Sequence, residues 1–335
     1  MTSGLAGCSA PESANVIRLK AAGSTFAYPL YVKWADAYAK AHPNVEIDYQ
    51  SIGSSGGINL VSSGRVDFGA TDGPMTDAQM QAFVELRGTG VLHVPVALGA
   101  DVVSYNVPGV SAELQFTPRA LAGIFLGTIT KWNDAELASA NAGLQLPDAE
   151  IKVIHRADGS GTTFVWTDFL SKVSDEWRTS VGRGTSVKWP VGTGVTGNQG
   201  VADAIKATPN AVGYIELTYA IQAQLPVGHV QNSARRFIKP DLQSVTAAAA
   251  ESAAILPDDF RVSITNTPGE DAYPIASFTW ALVPRTIADR TRKEAVTSFL
   301  EWALTDGQQL TAGLSYARVP EAVAAKARTA VSQVQ

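Results

Sequence analysis

Apolar positions recur along this chain with two different periods, and the two periods alternate. Val16-Ile17-Arg18-Leu19-Lys20 and Val45-Glu46-Ile47-Asp48-Tyr49 read as strands, and residues 65–69 as another. Residues 102–107, 151–155 and 211–215 are apolar enough to be central strands, buried on both faces. Between the strands, Trp34, Ala37, Tyr38 and Ala41 fall on one helical face and predict a helix over 30–41. Longer helices over 287–304 and 321–332 close the chain. Strands alternating with helices indicate an α/β protein, and no internal repeat is visible.

Length and charge narrow the picture. The chain has 335 residues, which at about 150 residues per domain suggests two domains. Apolar residues make up 45%, enough for each to bury an ordinary core. Twenty-six Lys and Arg against 31 Asp and Glu leave a net charge of −5, which argues against a nucleic-acid partner. It does not exclude a small anion, because a buried site answers to local dipoles rather than to net charge.

The single cysteine, Cys8, allows no internal disulfide. The four histidines, His42, His93, His155 and His229, lie far apart and form no metal-binding pair at helical spacing. No run of about 18 uncharged apolar residues occurs; the strongest candidate, 91–107, is interrupted by His93 and Asp101. Leu5-Ala6-Gly7-Cys8 resembles a bacterial lipoprotein box, which makes Cys8 a candidate for lipidation within a leader over 1–15. The basic and apolar regions that would precede such a box are absent, so the segment is either the tail of a signal peptide or a chance match.

The informative pattern occurs three times: a strand, a Gly/Ser/Thr turn, then a helix. The turns are Gly23-Ser24-Thr25-Phe26, Gly53-Ser54-Ser55-Gly56-Gly57 and Arg156-Ala157-Asp158-Gly159-Ser160-Gly161-Thr162-Thr163. A helix start leaves free N–H groups and about half a positive charge. Glycine lets backbone approach an anion, and a hydroxyl adds a donor. Any one of these could be a simple helix cap; three in one chain, one carrying Arg156, point to an anion site. None is a nucleotide P-loop, since no Gly-Lys-Ser/Thr follows. Residues 192–197 fit GxGxxG but are not followed directly by an apolar helix, and they read as a flexible loop. Residues 53–57 also fit GxSxG, which would make Ser55 a nucleophile with His229 as base, but nothing marks an acid partner.

Asp72 ends the run Asp67-Phe68-Gly69-Ala70-Thr71-Asp72. It is either a turn cap before Pro74 or a group facing the anion. A carboxylate facing an anion needs a proton between them. Phosphate carries one near neutral pH and sulfate does not, so Asp72 would make the site specific for phosphate.

These motifs together resemble the phosphate-binding proteins of bacterial phosphate ABC transporters. The resemblance spans about residues 18–335 and includes Val187-Lys188-Trp189-Pro190 and Gly269-Glu270-Asp271-Ala272-Tyr273-Pro274-Ile275. It implies a two-lobed periplasmic-binding-protein fold of class II type, with two crossover hinge strands and the ligand cleft between the lobes. It also implies that Thr25 and the Phe26 N–H donate to phosphate, as does Ser54, and that Asp72 accepts the phosphate hydroxyl. Arg156 would give two hydrogen bonds, held in line by Asp158, and Ser160, Gly161 and Thr162 would complete the cradle. Ser24 and Gly73 stand where relatives often carry alanine, and neither is expected to touch these contacts.

Crossovers are placed near Gly99 and within 271–275, so that lobe one is 16–98 plus 275–335 and lobe two is 99–274. The expected partners are inorganic phosphate and the permease and ATPase subunits of an importer, with the protein a monomer outside the cytoplasmic membrane, held by Cys8 if that residue is lipidated. No cofactor, metal or catalytic residue is expected. Two other readings stand beside this one. A binder of sulfate or molybdate conflicts with Asp72, and a serine hydrolase or phosphatase using Ser55 lacks metal ligands and a convincing base.

Overall fold

The computed structural model describes residues 16–250 and 256–335; Cys8 and the leader lie outside them. Eleven strands occur among these residues: β1 (Ile17–Gly23), β2 (Val45–Ser51), β3 (Phe68–Thr71), β4 (Val91–Asn106), β5 (Gln115–Phe116), β6 (Lys152–Arg156), β7 (Thr193–Val195), β8 (Ala211–Glu216), β9 (His229–Gln231), β10 (Phe237–Ile238) and β11 (Ala276–Pro284). Eight of them form one sheet in the order β2-β1-β3-β11-β4-β8-β6-β7, and β10-β9-β5 form a small second one.

β4 organises the molecule. Its apolar run, too short and too polar to suggest a membrane span, is a strand buried along all but its last residue. Residues 91–100 pair antiparallel with β11, and residues 101–106 pair antiparallel with β8. A single strand therefore serves two half-sheets and changes partner between Ala100 and Asp101. The chain returns beside this point, where the Asp101 N–H donates to the Ile275 carbonyl at 2.9 Å just before β11 begins. On either flank the pairing is parallel, β1 with β2 and β3, β6 with β7 and β8. This is the two-lobed periplasmic-binding-protein architecture. Ligands of such sheets bind at the carboxyl ends of the parallel strands, and three of those ends here are Gly23, Thr71 and Arg156.

The elements depart from the sequence reading in two informative places. The strand expected over 65–69 is shifted to Phe68–Thr71, because the Asp67 carboxylate takes the Lys20 N–H at 2.7 Å and ladder pairing with β1 begins only at Phe68. Residues 192–197, read as a flexible loop, contain the edge strand β7 and the start of helix Gly197–Ala207. The apolar face of that helix, Val201, Ala202 and Ile205, starts only after the polar Asn198-Gln199, so its periodicity is hidden at its amino end.

Candidate functional site

Each of the three turns delivers short polar side chains to one buried place. After β1, Gly23 (φ 141°) passes so close to the Ala70 carbonyl that a Cβ there would sit 2.1 Å from its oxygen. The chain can then bend, and Ser24 Oγ accepts the Ala27 N–H at 2.9 Å beneath helix Tyr28–Ala41. After β2, Ser54 opens helix Ser54–Ser62 and is fully buried. After β6, Ser160 caps helix Gly161–Val173 by accepting the Thr163 N–H at 3.0 Å, which leaves its own proton free for another acceptor. Thr25, Phe26, Ser54, Asp72, Arg156, Ser160, Gly161 and Thr162 are all buried, so the structure gathers the residues singled out from the sequence, with half-buried Asp158 at the margin.

Arg156 is held in place from several sides. Its Nε and Nη2 form a fork on the two Asp158 oxygens, and its Nη1 donates to Thr162 Oγ1 at 3.3 Å. Its backbone N–H donates to the Tyr214 hydroxyl at 3.1 Å, and the Tyr214 ring stacks on Trp166 with centroids 5.2 Å apart. Burial tends to raise the Asp158 carboxyl, but the hydrogen bonds and charge of Arg156 outweigh it and hold Asp158 below its ordinary range.

Asp72 lies close enough to feel the charge of Arg156. Ser54 Oγ reaches its Oδ2 at 3.2 Å. Ser24 Oγ donates to its two oxygens at 2.6 and 2.7 Å, so Ser24, expected to stand clear of the contacts, touches the central carboxylate directly. Gly73 also matters: a Cβ there would meet the Phe164 ring at 2.7 Å, so alanine would press on the opposite lobe. Burial pushes the Asp72 carboxyl up to about 6, while the hydroxyls of Ser24, Thr279 and Ser54 and the charge of Arg156 oppose the rise. With its folded value above the ordinary one, Asp72 supports folding in acid and loses that contribution as pH rises through about 6.

The two halves meet closely around these groups. A Cβ on Gly161 would lie 2.4 Å from Ser54 Oγ and 2.5 Å from Asp72 Oδ2, so only glycine lets the two lobes approach this far. The Ser55 N–H donates to the Gly159 carbonyl at 3.0 Å, and the Tyr219 hydroxyl donates to the Thr25 carbonyl at 2.6 Å.

Two features were not read from the sequence. Asn198, in the first turn of helix Gly197–Ala207, is fully buried and donates to Thr25 Oγ1 at 2.9 Å and Thr162 Oγ1 at 3.0 Å. Only its place after a Gly-rich run could have flagged it. The second feature is Asp101, where β4 changes partner. It is opposite Glu216 in the β4–β8 register, and both are fully buried. Glu216 caps helix Leu217–Ala223 through the Thr218 N–H at 2.9 Å, whereas neither Asp101 oxygen has a hydrogen-bond partner. Burial first, then the like charges of Glu216 and Asp72, push the Asp101 carboxyl well up, against the pull of Arg156. A buried carboxyl with a raised value destabilises the fold increasingly as pH rises above its unfolded range. Asp101→Asn is therefore expected to raise the melting temperature, and by more at pH 8 than at pH 5. An equal change at both values in thermal scans would show that Asp101 carries no such strain.

The hydrolase constellation does not form. Ser55 Oγ donates to Thr185 Oγ1 at 3.0 Å, and His229 Nε2 pairs with Glu113 at 2.9 Å on β9. No group of three or more His, Cys, Asp or Glu suited to a metal ion occurs among the described residues, and no helix among them is long and apolar enough to cross a membrane.

A family model described as a PBP superfamily domain matches residues 9–307. The phosphate-binding protein PstS of Pasteurella multocida is 41% identical over 306 residues, covering 91% of this chain and 87% of its own length. The phosphate-binding protein PstS of Xylella fastidiosa (strain Temecula1) is 40% identical over 310 residues, covering 92% and 83%. Among solved structures, a high affinity periplasmic phosphate-binding protein, PfluDING, bound with phosphate, superposes with a TM-score of 0.76 at 21% identity and covers 93% of each chain.

Proposed function

The chain belongs to the PBP superfamily and, within it, to the phosphate-binding PstS proteins, and on that premise we propose that it binds inorganic phosphate between its lobes and delivers it to an ABC-type permease. It is a binding protein, not an enzyme, and it works in the periplasm or at the cell surface. The observation that carries the reading is a buried carboxylate, Asp72, set among the hydroxyl donors of Ser24 and Ser54 and within reach of the charge of the buried Arg156. A site of donors alone would accept any tetrahedral oxyanion. One acceptor among them demands a ligand that still owns a proton.

In this reading Thr25, the Phe26 N–H, Ser54, Ser160, the Gly161 N–H and Thr162 donate to phosphate oxygens. Arg156 gives two charge-assisted bonds with Asp158 as its backstop, and Asp72 accepts the hydroxyl. Lobe one comprises residues 16–98 and 275–335 and lobe two residues 99–274, hinged where β4 changes partner and where the chain enters β11. Ligand bridging the lobes favours closure, and the closed monomer is the form presented to the permease and its ATPase subunits. Cys8, if lipidated, tethers it to the membrane.

Calorimetry with phosphate, arsenate and sulfate in parallel tests the reading. Phosphate is expected to bind at micromolar concentration or below, arsenate more weakly, and sulfate without measurable heat. Absence of phosphate heat, or equal heats for phosphate and sulfate, overturns it.

A further inference from the structure

The GxGxxG run led to no nucleotide site, yet the residue that follows it, Asn198, is fully buried between the turns that follow β1 and β6. Asn198 Oδ1 accepts the Glu216 N–H at 3.0 Å. That bond fixes the orientation of the amide, since only the oxygen can accept, and it turns both Nδ2 protons toward the cleft. One proton goes to Thr25 Oγ1 and the other to Thr162 Oγ1, at 2.9 and 3.0 Å. The first threonine follows β1 and the second follows β6, so one planar amide joins the two half-sheets.

A hydroxyl has one proton and two lone pairs. Thr162 Oγ1 accepts from Asn198 and also from Arg156 Nη1 at 3.3 Å. Both of its lone pairs are engaged, and its proton has to be donated elsewhere. Thr25 Oγ1 likewise meets a donor on its Asn198 side. Left alone, either hydroxyl could turn a lone pair toward an incoming anion and repel it. Building on the phosphate reading above, we propose that Asn198 is a positioning residue: by occupying lone pairs on two hydroxyls, one from each lobe, it favours both as donors to the bound oxyanion and ties them together across the cleft. Asn198 touches the threonines and acts on the ligand through them.

The test is a double-mutant cycle read by phosphate calorimetry. Asn198→Ala is expected to raise the dissociation constant about 10- to 100-fold, the range for losing two buried hydrogen bonds. In a Thr25→Val, Thr162→Val background the same change is expected to cost threefold or less, because no hydroxyl remains to orient. In a Thr25→Ser, Thr162→Ser background, which restores both hydroxyls, the full penalty is expected to return. If Asn198→Ala does not fold, Asn198→Ser takes its place in the same cycle, with melting temperatures confirming a folded protein. An undiminished penalty in the valine background assigns Asn198 a purely structural part and overturns the proposal, as does an unchanged affinity in the single variant. Failure of the unaltered protein to bind phosphate would instead overturn the phosphate reading, so the two failures are distinguishable.

Discussion

Arg156→Ala is expected to raise the phosphate dissociation constant by about 10²- to 10³-fold, as breaking a buried, hydrogen-bonded charge pair does. Two losses combine. The charge of Arg156 acts on Asp72, Asp101, Tyr214 and Tyr219 alike, so a bound anion would lose the positive charge that all of them share. Asp158 would also be left with the Gly197 N–H at 3.1 Å as its remaining firm partner, a negative charge facing an anionic ligand. Arg156→Lys is expected to recover only a small part of the loss. It restores the charge, but an ammonium cannot form the two-pronged contact with Asp158 while its other face addresses Thr162. Calorimetry on both variants decides the matter, with melting temperatures separating lost binding from lost folding. An affinity within tenfold of the original for Arg156→Ala would remove Arg156 from the site.

Strands β1, β2, β6 and β8, the second half of β4, the helices Tyr28–Ala41, Arg290–Ala303 and Glu321–Ser332 and the three turns were legible in the sequence because each rests on a local signal, whereas the helices Asp77–Arg87, Pro118–Leu126 and Leu242–Ala250 and the central strand β11 were not. Period two marked β1 and β2, and Gly/Ser/Thr before an apolar stretch marked the starts of helices Ser54–Ser62 and Gly161–Val173. What escaped depends on contacts between distant residues. Ser24 touches Asp72 across 48 positions, and Asn198 reaches Thr25 across 173. No local pattern carries such distances, and serine or asparagine near glycine is the ordinary chemistry of turns. Asp101 was noticed only as an interruption in an apolar run. Its meaning appears when β4 is seen to change partner there and to set Asp101 against Glu216. The strand shift at Asp67 has the same origin, since its side chain replaces a backbone partner on β1 and also accepts from Arg292, 225 positions away.

Asp72→Asn is expected to collapse the preference for phosphate over sulfate by about 10⁴- to 10⁵-fold, the range by which a site built around a ligand hydroxyl rejects an analogue lacking it. The two anions are nearly alike in shape, so donors alone separate them poorly. The difference lies in the proton. Phosphate gives its hydroxyl hydrogen to the carboxylate, whereas sulfate presents a bare oxygen to a buried negative charge and gains nothing in return. An asparagine at 72 keeps the volume and one acceptor but removes the charge, and its amide can turn a donor toward sulfate. The change should therefore appear mainly as a gain for sulfate, with phosphate weakened about 10- to 100-fold, as for loss of one charged hydrogen bond. The pH dependence checks the cause independently. Because burial pushes Asp72 up to about 6, the original protein protonates it as pH falls through that value and then has a donor of its own to offer. Sulfate binding by the original protein is thus expected to emerge below about pH 6 and to vanish above it, while in Asp72→Asn it should stay level across the same interval. Competition dialysis from pH 5 to 8 reads both curves. A sulfate affinity in Asp72→Asn that rises and falls with pH as the original does would place the discriminating proton on some other group.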